Sequence, residues 1–102
     1  MRLRAAIEQV FLARGSGGVE ALLVLVRESG ARERETLVLA ASELPLAAAL
    51  LGRTLARRDD VESVASCRVR VRRGGALVDD AALGEELRSA FDGERRRAGH
   101  EA

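Results

Sequence analysis

Apolar residues gather in two short runs near the middle of the chain, V-E-A-L-L-V-L-V at 19–26 and T-L-V-L-A-A at 36–41, joined by the polar stretch R-E-S-G-A-R-E-R-E. Strand-length runs on either side of a Gly-containing polar segment predict a β-hairpin. Because side chains alternate across a strand, Leu23 and Leu25 point one way while Leu22, Val24 and Val26 point the other. Leu37 and Leu39 oppose Val38 and Ala40 in the same manner. Both faces of the hairpin are apolar, so each is expected to be covered by a helix, a loop or a second subunit. A side left bare would remove this layout, and with it the reading as a binding module that rests on it.

The flanking segments supply candidate covers. In residues 2–14, Leu3, Ile7, Val10 and Phe11 stand at i, i+4, i+7 and i+8, a helical spacing that Gly15 would end; a strand through 9–13 is the alternative. Gly15-Ser16-Gly17-Gly18 then reads as a flexible connector. Pro45 suits the first turn of a helix, expected over 45–58 with Leu46, Leu50, Leu51 and Leu55 as its buried stripe. Beside them Ala48, Gly52 and Ala56 recur every fourth residue. A line of such small side chains lets another backbone approach closely, which makes these three the candidate interaction surface. Asp59-Asp60 ends the helix and residues 61–73 read as a third strand, giving a β-α-β unit with 36–41. Gly74-Gly75 turns the chain into a short return strand at 76–78. Asp79 or Asp80 caps a last helix carrying Leu83, Leu87, Ala90 and Phe91, with Gly93 or Gly99 as its end.

The expected fold is an α/β (α+β) sandwich of two or three layers, in the order α-β-β-α-β-(β)-α around a small mixed sheet. Residues 1–93 form a single globular domain in this reading, and 94–102 a polar, disordered tail. The element order alone is similar to that of roadblock or profilin-like adaptor domains; no motif is shared.

Charge and composition narrow the partners. All 17 basic residues of the 102 are Arg, and the formal net charge is +1, so no overall field draws the chain to nucleic acid or an anionic membrane. Such a partner needs a local patch. A lone cysteine, Cys67, makes no internal disulfide and suggests a reducing compartment. Glu8 and Gln9 interrupt the first apolar run too early for a secretory signal, and no stretch reaches the roughly 20 apolar residues of a membrane span. The expected location is the cytoplasm.

No catalytic constellation emerges. The single His is His100, in the expected tail, and Lys is absent, which leaves no base for a Ser or Cys nucleophile and no Walker or Schiff-base lysine. No residue is assigned a catalytic, cofactor-binding or metal role, and the chain is read as non-enzymatic. Asp59-Asp60 and Asp79-Asp80 would meet at a Mg²⁺ only if their loops shared one end of the sheet, the basis of a second alternative, a small carboxylate-metal enzyme; helix termination and capping is the plainer account. The sharpest polar feature is Arg68, Arg70, Arg72 and Arg73. The first three, two apart, line one face of a strand, as phosphate tracking would require. Pairing with Glu33, Glu35 or Glu62 is the competing account, and no aromatic residue is interleaved for base stacking. The leading reading is a small interaction module, an adaptor, accessory or regulatory subunit that forms a homodimer or binds a protein partner. A nucleic-acid-binding domain using the Arg row is the alternative.

Overall fold

The chain runs β1 (Ala5–Gly15), β2 (Gly18–Arg27), β3 (Arg32–Leu39), α1 (Leu44–Ala56), β4 (Val61–Ser63), β5 (Arg68–Arg73), β6 (Ala76–Asp79) and α2 (Ala81–Glu101). This computed structural model describes residues 4–101, with His100 and Glu101 as backbone alone. Arg2 and Leu3 of the expected first helix, Ala102 and the His100 side chain fall outside the described residues. The strands form one mixed sheet in the order β3-β2-β1-β5-β6, with β4 pairing β1 beside β5. The three-strand meander β1-β2-β3 is antiparallel, whereas β4 and β5 run parallel to β1. The architecture is a mixed α+β sandwich, at the two-layer end of the expectation.

The central hairpin lies where the apolar runs put it, but its strands are longer and its turn tighter, because Arg32 to Glu35 already pair with Val26 to Leu23. The larger difference is at the N-terminus, where residues 5–15 form a strand instead of a helix. Ile7 pairs with Leu25 and Gln9 with Val24, so Glu8 is an extra residue in a β-bulge. The bulge shifts the alternation by one and puts Ile7 and Val10, three apart, on the same buried face. That imitates the spacing of a helix. With the first element a strand, the adaptor-like order α-β-β-α-β is not formed, and among the described residues two helices stand where three were expected. Gly15 and Gly18 pair across a two-residue turn, so the Gly-rich connector is a tight hairpin.

Residues 61–73 do not make one strand. Cys67 N–H bonds to the Val64 carbonyl in a turn that separates β4 from β5. The crossover from β3 through α1 passes over two strands to reach parallel partners of β1. Gly74 and Gly75, at φ 57° and 82°, fold β5 back onto β6 as a glycine pair can. Asp80 caps α2, its Oδ1 accepting the Leu83 N–H at 3.0 Å. Gly93 does not end that helix, which continues through residues 94–101. Arg95, in the stretch expected to fray, donates to the carbonyls of Ala56, Arg58 and Val61 at 2.8, 3.2 and 2.6 Å. It ties α2 to the end of α1 and the start of β4.

Both helices lie on one side of the sheet. Ala5, Ile7, Val10, Leu12, Val19, Ala21, Leu23, Leu25, Val69 and Val71 share a single core with Leu51 and Leu55 of α1 and Leu83, Leu87 and Phe91 of α2. Within α1 the buried face is Ala47, Ala48, Leu51, Gly52, Leu55 and Ala56, while Leu46, expected inside, is 58% exposed. The small-residue line has its packing reason here: a Cβ on Gly52 would lie 2.3 Å from the Leu87 carbonyl oxygen and 3.0 Å from Phe91 N. The backbone that approaches Gly52, in the middle of that line, is the chain's own α2, and Ala48 and Ala56 are buried on the same face of α1.

Among the described residues no helix or loop lies over Leu22, Val24 and Val26, so the two-sided cover expected from the apolar pattern is not built. These side chains are half-buried all the same. Arg32 spans β2 to reach Glu8, and long arginine stems flank the strip and cover apolar surface while their heads stay wet. The layout with a cover on each side, and the binding-module case that rested on it, therefore fall together, and a binding role has to be argued afresh from the character of this face.

Candidate functional site: the open face of the sheet

Strand pairing fixes which side chains meet on the open face. One row reads Arg34, Val24, Gln9 and Arg68 across β3, β2, β1 and β5; the next reads Thr36, Leu22, Phe11, Arg70 and Asp79 out to β6. Arg32, Val26 and Ala6 form a row on one flank. On the other stand Val38, Glu20 and Ala13, with Arg72 and Leu77 paired alongside. The result is an apolar strip along β1 and β2, with Arg32 and Arg34 on one side and Arg68, Arg70 and Arg72 on the other. Neighbouring strands lie about 4.8 Å apart. Three strand steps separate β3 from β5, so the two arginine rows stand roughly 14 Å apart. Glu8, Gln9, Phe11, Leu22, Val24, Arg32 and Arg34 line a depression of about 830 Å³ on this surface.

The arginines differ in how far they are neutralised. Arg32 makes a two-point contact with Glu8, 3.0 Å at each oxygen, and that guanidinium holds the Glu8 carboxyl below its ordinary range. Arg68 Nη2 lies 2.7 Å from Asp79 Oδ2, and Arg70 Nε is 3.1 Å from Oδ1 of the same carboxylate. The contact with Arg68 lowers the Asp79 pKa. Buried Arg70 Nε is not aligned for a hydrogen bond, and its guanidinium carbon sits 5.9 Å from the centre of the Phe11 ring, within reach of a cation–π attraction. Arg72 donates to the Gly75 carbonyl at 3.1 Å. Arg34 is exposed and has no hydrogen-bond or ion-pair partner among the described residues. Five guanidinium groups share the face with three carboxylates, Glu8, Glu20 and Asp79.

Arg68, Arg70 and Arg72 thus line up as their spacing requires, whereas Arg73 turns to the helix side and pairs with Asp80. The arginine partners are aspartates of β6 and its end, not the glutamates suggested by the sequence: Glu33 is held by Arg27 and Glu35 by Arg58, and Glu62 is exposed. Phe11, Arg32 and Arg34 were not singled out by sequence, because Phe11 joined a helical stripe and the arginines a polar turn. The R-x-R alternation at 32–34 is the signal that could have found them.

Other polar clusters are consumed by structure. Arg4, Ala56, Arg58, Asp59 and Arg95 line a hollow of about 410 Å³. Its Arg58 is bound to both Glu35 and Asp60, and its Arg95 to backbone carbonyls. Asp60 is held by Arg58, Asp79 by the Arg row, and Asp80 caps α2. No group of three or more His, Cys, Asp or Glu among the described residues is placed to hold a metal ion. Cys67 is buried and unpaired, and burial pushes its thiol up to about 11. No described helix is long and apolar enough to cross a membrane. Comparison of the chain with family models, with curated proteins and with solved structures gave no match.

Proposed function

We propose that this chain is a small non-enzymatic binding module, an adaptor or accessory subunit, whose working surface is the open face of the sheet. The observation that carries this reading is the contiguous strip of Leu22, Val24 and Phe11 set between two arginine rows. Apolar surface rimmed by polar groups marks interaction sites, and arginine and aromatic side chains are enriched where partners dock. Ala48, Gly52 and Ala56 lie on the buried face of α1, on the other side of the sheet, and are not part of this surface. Nor is homodimerisation carried forward for it. Two copies meeting face to face would set arginine rows against arginine rows, and like-charge juxtaposition opposes association. The free, buried Cys67 supports work in a reducing compartment, the cytoplasm.

The test is site-specific photo-crosslinking in extract of the source cell, with the reactive residue at position 24 on the open face or at exposed position 98 on α2. Capture from position 24 and none from 98 supports the proposal. Equal capture from both positions, or none from either, overturns it.

Nucleic-acid binding is the second reading, favoured by one feature: Arg68, Arg70 and Arg72 lie on the same face as Phe11. It predicts binding to single-stranded RNA or DNA that weakens steeply with salt and is lost in Arg70→Glu. Absence of binding at low salt would remove it.

A further inference from the structure

The occupant of the open face can be narrowed by its charge and dimensions. The apolar strip has Leu22, Val24 and Val26 on β2 and Phe11 on β1, is interrupted by Gln9 and ends at Glu20. It is flanked on both long sides by guanidinium groups, which outnumber the carboxylates of the face five to three. A ligand that fits is apolar along one line and acidic on both sides of that line. Its width is set by the arginine rows, roughly 14 Å apart. An α-helix with its side chains is about 10–12 Å across, which leaves its flanking carboxylates within reach of both rows.

The axial repeat agrees as well. Successive arginines on one strand face are two residues apart, roughly 6.6 Å, while carboxylates at i and i+4 of a helix are about 6 Å apart along its axis. From Ala6 to Ala13 the strip spans about 20 Å, the length of a helix of roughly 14 residues. The other side of the sheet already shows how such a layer packs, since α1 and α2 share one core with its buried face.

Resting on the proposal that the open face is the working surface, we infer that its partner is an acidic amphipathic helix of another protein, laid along β1 and β2 with its apolar stripe on Val24, Leu22 and Phe11 and its carboxylates on Arg34 to one side and Arg68, Arg70 and Arg72 to the other. Arg32 stays with Glu8 at one end of the strip. A single strand of nucleic acid fits less well. It stacks its bases on successive aromatic platforms, and Phe11 is the one aromatic ring on this face, with Arg70 already beside it. A second copy of the chain is disfavoured by the like charge of the two faces.

Fluorescence anisotropy with a capped, labelled peptide of about 14 residues tests this directly, the peptide carrying Leu at every third and fourth position and Glu along both borders. Expected are saturable binding that weakens between about 0.1 and 0.5 M salt, and at least about tenfold weaker binding in Leu22→Glu, Arg34→Glu and Arg68→Glu. Arg96→Glu, exposed on α2, should bind as the parent does. Replacing Glu by Lys along one border of the peptide should restore binding to Arg34→Glu, which separates a lost contact from a damaged fold. A scrambled peptide of equal charge that binds equally well overturns the inference, as does tighter binding of an oligo-dT strand than of the peptide. Failure of both probes also overturns it. In that event selective crosslinking from position 24 would still uphold the open face as a working surface, so the two failures are distinguishable.

Discussion

Replacing Gly52 by alanine tests the contact on which the helix layer depends. In an open helix the change would stabilise by about 1 kcal/mol, because Gly is the poorer helix former. Here the added Cβ would sit 2.3 Å from the Leu87 carbonyl oxygen, 3.0 Å from Phe91 N and 3.0 Å from Ala90 Cβ. Even a close C···O contact is roughly 3.3 Å, so α1 and α2 must separate by about 1 Å. Two of the three obstacles are backbone, which cannot rotate away. Overpacking costs about 1–3 kcal/mol, and a backbone obstacle at 2.3 Å puts this case in the upper part, about 2–3 kcal/mol. After the gain of about 1 kcal/mol in propensity a net loss of about 1–2 kcal/mol is expected. For a domain of this size that lowers Tm by about 5–15 °C. Gly93→Ala is the control. Its Cβ would meet only Arg97 Nη1, at 3.9 Å, so it should gain about 0.5–1 kcal/mol. Urea and thermal unfolding of the two variants should move in opposite directions, with unchanged m-values. A Gly52→Ala protein as stable as the parent would refute the close approach of the helices.

Three further outcomes follow from the pairings. Arg95→Met keeps an apolar stem near Phe91, whose ring the guanidinium faces at 4.6 Å, but removes the donors to Ala56, Arg58 and Val61. A loss of about 2–3 kcal/mol is expected in urea unfolding, and a loss below about 0.5 kcal/mol would show that water replaces those bonds. Glu8, Glu33, Asp60, Asp79 and Glu94 all have carboxyl pKa values lowered by arginine contacts. Depressed folded-state values mean that their stabilisation is complete above the ordinary values of 4.5 and 3.8 and is lost as pH falls through the folded ones. Tm should therefore be level near neutrality and decline below about pH 4.5, less steeply in high salt; a Tm that holds or rises on acidification would contradict the pairings. Cys67, buried with its thiol raised to about 11, should resist thiol reagents in the native state and react promptly in denaturant. Rapid native labelling would place it at the surface.

The chain's local patterns and its strand register contributed differently to what could be read in advance. The run at 19–26, the polar turn after it, Pro45, Gly74-Gly75 and the stripe Leu83, Leu87, Ala90 and Phe91 act through neighbours in sequence, and each element lies where its pattern puts it. The first strand was hidden because one bulged residue, Glu8, gives Ile7 and Val10 a helical separation. Gly93 ends no helix because Arg95 and Glu94, just beyond it, are tied to α1 and β4 and to Arg57. Both apolar faces of β2 were legible. What the second face lacks in cover was not, since that depended on which side the helices chose and on arginines from β3 and β5 bordering the strip. The same holds for the candidate site. The alignment of Arg68, Arg70 and Arg72 follows from alternation alone, but their meeting with Phe11 and Arg34 is a matter of register between strands far apart in sequence.

One side of β2 is packed under helices while the other faces solvent, and the proposed binding surface depends on that difference. Methyl NMR of the dilute protein with a soluble paramagnetic probe measures this directly. The Leu22, Val24 and Val26 methyls should broaden strongly and those of Leu23 and Leu25 hardly at all, at concentrations where light scattering gives the mass of a single chain. Equal protection of both sets at every dilution would mean that the second side is covered after all, and would contradict the open face.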